Sequence, residues 1–263
     1  MHEERKSRGT SPNKVWAIVL AALCLATPAR ADRNALWSLV HCQCVPRQLA
    51  GEVPPKPCDQ VSLAPSENDG TAMFKDQVGI AQMLAIPTRK VTGIDDAFLL
   101  SPDAPNYFAA AWTDGRAHFE AYLKAVTLRE QVSVTVNSVY NRSQDQLHLH
   151  VSCLRADVAQ ALVAYAPSLD ETWRVMTVEL NGRKYWARRL DGDVISVSPF
   201  QLLADGIEGA RKNMGLWTLA VAGATFADKP GFVLLADHAE LSAGGHAEDI
   251  QDHTCAIISR DKQ

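Results

Sequence analysis

Gln146, His148, His150 and Ser152 stand at alternate positions in the run Gln146-Leu147-His148-Leu149-His150-Val151-Ser152. Two imidazoles, an amide and a hydroxyl therefore share one face if the segment is a strand, where successive side chains point to opposite sides. Upstream, Val132-Ser133-Val134-Thr135-Val136-Asn137 repeats the pattern with Ser133, Thr135 and Asn137 on the polar face. Three chemistries fit two histidines at this spacing. Both can bind a metal, which needs a further ligand; Asp145 is the nearest carboxylate. Both can be simple surface groups. Or one is a nucleophile: a neutral imidazole attacks phosphorus to form a covalent intermediate, while amide and hydroxyl donors hold the equatorial oxygens.

The elements that must position these groups follow from periodicity. The polar link Ser138–Asp145 is long enough to close the two runs into a hairpin. Strands are expected at 71–75 and 81–87, and a hairpin at Thr172–Leu190 around Asn181-Gly182. A last hairpin is expected from 217–221 and 231–236. Helices are expected at 34–43, 106–126, 157–164 and 199–213, with a short one in the tail 247–257. A Pro-rich loop spans 45–57, and 95–104 reads as a loop with a turn. Asp95-Asp96 reads as part of that turn, and Ser198-Pro199 as a helix start. Strands and helices without a strict βαβ rhythm predict an α+β fold with an antiparallel sheet and flanking helices.

Composition bounds the function. The 263 residues are 47% hydrophobic and 21% charged, enough for a real core and against disorder. A net charge of −4 without a basic stripe disfavours nucleic acid as a partner. Arg5, Lys6, Arg8 and Lys14 precede the apolar run Val15–Ala26, and Ala29-Arg30-Ala31 follows. That order describes a secretory signal or an uncleaved N-terminal anchor over residues 1–31. The domain proper is then 32–263, outside the cytoplasm. Five basic and two acidic side chains leave with residues 1–31, so the net charge moves from −4 to −7. An anionic substrate would then need local positive charge, for which Arg142 is the first candidate, ahead of Arg89 and Lys90. Outside the cytoplasm the remaining cysteines should pair. Cys44 with Cys58 and Cys153 with Cys255 are the natural pairs, leaving Cys42 free. His41, His118, His238, His246 and His253 are isolated in sequence and read as surface or satisfied histidines.

The run Gln146–Val151, with Asn137 and Ser143 before it, resembles the active-site strand of the histidine-triad superfamily. More narrowly, nearly all of the mature chain is similar to the bacterial CDP-diacylglycerol pyrophosphatase family. The markers include Ala35-Leu36-Trp37, Cys44-Val45-Pro46, Leu84–Thr88, Pro105–Phe108, His148–Cys153, Ser198–Phe200 and Ile250–His253. The resemblance implies a histidine-triad-like fold and hydrolysis of CDP-diacylglycerol to CMP and phosphatidate. It places the nucleophile at His148, an orienting and polarising group at His150, and Gln146 where the superfamily has its first histidine. It gives Ser143 and Asn137 a place at the phosphate or leaving group, and it implies no metal or other cofactor. The implied partners are the lipid substrate and a membrane surface, at the inner membrane facing the periplasm or free in the periplasm. Two alternatives stay open: a metal-dependent hydrolase of another exported pyrophosphate, and a CDP-lipid-binding protein without turnover, suggested by the missing first histidine.

Overall fold

Alternating apolar and polar residues put most of the chain's strands into one antiparallel sheet. The computed structural model describes residues 32–239 and 246–258. The segment read as a signal or anchor lies outside the described residues. The strands are β1 (Gln60–Ser62), β2 (Thr71–Lys75), β3 (Met83–Pro87), β4 (Val132–Val136), β5 (Leu149–Cys153), β6 (Arg174–Val175), β7 (Trp186–Asp191), β8 (Trp217–Phe226) and β9 (Lys229–His238). Their order is β1-β2-β3-β5-β4-β8-β9-β7-β6, with every neighbouring pair antiparallel. The antiparallel α+β expectation is met at this level.

One face is covered end to end. Val132, Val134, Leu149, Val151, Met83 and Ala85 point into it. Over them lie α3 (Tyr107–Ala110), a π turn (Ala111–Gly115) and α4 (Arg116–Leu123), with α6 (Pro199–Gly206) beside them. Gly115 allows the close approach to the site strand, since a Cβ there would stand 3.0 Å from Val151 Cγ2.

The other face is covered only at its two ends. At one end α1 (Ala35–Leu39), a π turn (Val40–Cys44) and α2 (Val45–Leu49) bury Val40, Cys44 and Val45 against Ala72, Leu84 and Ile86. At the other end α5 (Ala156–Tyr165) buries Val158 and Leu162 against Ala220, Ala222 and Leu235. A single row across this face runs Phe74, Leu84, His150, Thr135, Ala220, Leu235, Ala187. Apolar ends flank a polar centre, so the helical layers part over β5 and β4 and leave a cleft there.

Several boundaries differ from the sequence reading. The first helix continues through Pro46 to Leu49 instead of giving way to a loop at Val45. The π turn ahead of Pro46 widens the backbone where the proline has no N–H to donate. The last hairpin is longer than expected at both strands, because Ala227 and Asp228 close it with φ of 46° and 67° and no glycine marks the turn. The expected helix 199–213 stops at Gly206, and the tail holds one 3-10 turn, Ala247–Ile250. β1 was not expected. Both cysteine pairs are formed, Cys44–Cys58 and Cys153–Cys255, and Cys42 is free and exposed.

Candidate active site

The hairpin read from periodicity is present, with Thr135 opposite His150 and Ser133 opposite Ser152. Its start differs. β5 begins at Leu149, and Leu147 N donates to Val91 O instead of joining the ladder. This turns Gln146 away from the cleft. Its Nε2 donates to Pro87 O (3.0 Å) and Arg89 O (2.8 Å), and its Oε1 accepts from Val91 N (3.3 Å). Gln146 therefore braces the 87–91 loop.

His148 is buried beside that brace. Its Nδ1 lies 2.7 Å from Gln146 O. A carbonyl only accepts, so the ring proton is on Nδ1 and Nε2 keeps its lone pair. Burial first, and the neighbouring His150 second, push the His148 pKa down to about 4. The imidazole is neutral at neutral pH.

His150 packs edge-on to His148, with ring centroids 4.9 Å apart. Its Nδ1 is 3.0 Å from Gln82 Nε2, and Gln82 Nε2 also donates to Asp76 Oδ2 (2.8 Å). Glu248 Oε2 lies 3.2 Å from the same Nδ1, so an amide and a carboxylate both meet the ring at that nitrogen. His150 Nε2 is buried and has no partner among the described residues. Burial lowers the His150 pKa while Glu248 and Asp76 oppose the shift.

Glu248 is itself fixed. Asn137 Nδ2 donates to its Oε1 at 2.6 Å, and Asn137 Oδ1 accepts from Ala247 N. His253 Nε2 lies 3.5 Å from Oε2, and its Nδ1 lies 3.3 Å from Ser152 Oγ. Burial pushes the Glu248 carboxyl up, but His150, His253 and Asn137 outweigh it and hold the group below the ordinary carboxylate range.

His148, His150 and Glu248 open into a cavity of about 440 Å³. Asp76, Gln82, Ser143 and Gln144 add polar lining, and Leu36, Leu39, Phe74, Val78 and Leu84 add apolar lining. Of the residues expected from sequence, the cavity gathers His148, His150 and Ser143. Gln146 and Asn137 stand behind them as supports. Arg142 does not supply free positive charge, because its guanidinium is paired with Asp95 and with Asp145 (3.3 Å). Arg89 pairs with Asp69, and Lys90 donates to Asn34. Asp145, the carboxylate nearest in sequence, pairs with Arg33 at 2.7 Å. Among the described residues no three His, Cys, Asp or Glu side chains converge as a metal site.

Sequence reasoning missed Glu248, Gln82 and Asp76, and it set His253 aside as isolated. The tail reaches the site because Gln251 Nε2 donates to Ser133 O and His150 O, and Cys255 is bonded to Cys153 of the site strand. The one signal for it in the sequence was the marker Ile250–His253.

A family model described as CDP-diacylglycerol pyrophosphatase matches residues 31–259. The CDP-diacylglycerol pyrophosphatase of Yersinia pestis is 36% identical over 244 residues, which cover 92% of this chain and 91% of that protein. Both matches run over nearly the whole of residues 32–263, and the chain belongs to the CDP-diacylglycerol pyrophosphatase family of hydrolases.

Proposed function

We propose that the protein hydrolyses CDP-diacylglycerol to CMP and phosphatidate through a cytidylyl-His148 intermediate, on a histidine-triad-like site. The observation that carries this reading is the hydrogen bond from His148 Nδ1 to Gln146 O, which leaves Nε2 as a neutral nucleophile at the cavity wall. Nε2 attacks the phosphorus of the CMP moiety. A P–N bond forms, and the P–O bond to phosphatidate breaks with its electron pair on the departing phosphate. A phosphate monoester has a second pKa near 6, so this oxygen leaves without a proton. That is why the first triad position can be Gln146, which has no proton to give. Water then attacks the same phosphorus, the P–N electrons return to Nε2, and the water proton goes to solvent.

His150 Nε2, buried and with no partner among the described residues, carries the ring proton in this reading and donates to the pentavalent phosphorus oxygens. The Glu248 carboxylate beside Nδ1 supports the positive polarisation of that ring as negative charge builds on those oxygens. Ser143 at the rim serves the outer phosphate. Two disulfides are consistent with an exported protein. No helix among the described residues is long and apolar enough to cross a membrane. We place the enzyme at the periplasmic side of the inner membrane, where its lipid substrate resides.

The test is CMP release from CDP-diacylglycerol in mixed micelles by wild type and His148→Asn, each with and without EDTA. Release that resists EDTA and vanishes in the variant is expected. EDTA-sensitive release would turn the histidines into metal ligands, and binding without any release would make the protein a lipid-binding one.

A further inference from the structure

The proposed chemistry uses the polar lining of the cavity, but the same cavity has an apolar wall that the chemistry does not use. Leu36 and Leu39 of α1 face Phe74 of β2 and Leu84 of β3 across it, with Val78 of the β2–β3 link at the lip. Leu84 is the direct strand partner of His150, so this wall begins one strand away from the reacting centre. Val78 is 56% exposed and Ile80 close by is 44% exposed, an outlay of aliphatic surface left open by the described residues.

We infer that this wall holds the diacylglycerol half of the substrate: the glycerol and the first acyl carbons lie against Leu36, Leu39, Phe74 and Leu84, and the chains leave past Val78 into the bilayer. The inference rests on the proposed hydrolysis of CDP-diacylglycerol. A cavity of about 440 Å³ suits a compact ligand, and two long acyl chains beside a cytidylyl group exceed it. The chains must therefore continue outside, where an uncovered aliphatic lip can enter the membrane without a desolvation penalty.

Leu36→Gln, Val78→Gln and, as a control on the opposite face beyond α4, Val126→Gln test this. Each is assayed on dipalmitoyl CDP-diacylglycerol in mixed micelles and on CDP-glycerol, which has the same pyrophosphate and cytidine but no chains. The expected result is a KM for the diacyl substrate raised roughly tenfold in the two lip variants, from lost apolar burial, with kcat kept. Their preference for diacyl over chainless substrate falls by the same factor, while Val126→Gln keeps it. If CDP-glycerol turns over too slowly to measure, the KM-against-kcat split on the diacyl substrate decides alone. Equal losses on both substrates, a loss in kcat with KM kept, or a wild type without preference for the diacyl compound would overturn the inference and leave the hydrolysis reading standing. A wild type that hydrolyses neither substrate would remove both. Thermal melting of each variant separates misfolding from these outcomes.

Discussion

Glu248 lies about a hundred residues from the histidines in sequence, yet its charge acts on both of them. Its charge opposes the downward shifts of both His148 and His150. Glu248→Gln keeps the shape and the bond from Asn137 but removes the charge. Two effects are expected. Turnover falls by on the order of tenfold or more, because the polarised His150 ring loses its counter-charge. The acid limb of kcat/KM, which reports loss of the neutral His148 nucleophile, moves to lower pH, because the carboxylate that favoured protonation is gone. A pH profile that moves upward, or a rate that does not change, would show that Glu248 merely packs the tail. The direction of the limb distinguishes a positioning role from a structural one, since destabilisation alone would not carry it downward.

At the scale of elements, the site is a hairpin closed over by a tail. Gln251 bonds three atoms of β4 and β5, and Cys255 ties the tail to Cys153 on the site strand, across 102 residues of sequence. Replacing both cysteines of this pair by serine removes a crosslink of long sequence separation, worth about 2–5 kcal/mol, and frees the segment that carries Glu248. Activity measured below the melting temperature should therefore fall further than for the Cys44–Cys58 pair, whose crosslink spans 14 residues and clamps α2. Equal residual activities at equal stability would mean that the tail keeps Glu248 in place unaided. What was legible in the sequence follows the same division. Ser133, Thr135, His148 and His150 were placed on one face because period two is a local signal. Gln146 continues that alternation in sequence, but its backbone neighbour bonds to Val91, a contact that no local pattern records. Arg142 likewise read as a free cation because Asp95, its partner, lies 47 residues away. Glu248 was missed and His253 set aside for the same reason, since crosslink and register bring them in from far along the chain.

Over the whole molecule, burying imidazoles where the helical layers part over the sheet links catalysis to acid stability. A neutral buried His148 ionises only near pH 4, whereas in the unfolded chain it takes a proton near 6.5. Between these values the unfolded state binds more protons than the folded state, so stability falls as the pH drops. The loss from His148 alone reaches about 3 kcal/mol by pH 4, and His150 shifts in the same direction. Asp145, held down to about 2 chiefly by its hydrogen bond to Arg33, adds a separate loss as pH falls from its ordinary 3.8 towards 2. Melting temperature followed from pH 7 to pH 4 should therefore decline in wild type and decline less in His148→Asn, because asparagine has no proton to gain. Parallel curves for the two proteins would place the titration on other groups and would mean that His148 is solvated enough to charge in the folded state. That outcome would also weaken the case for a neutral nucleophile, since the same burial that destabilises the protein in acid is what keeps the Nε2 lone pair available at neutral pH.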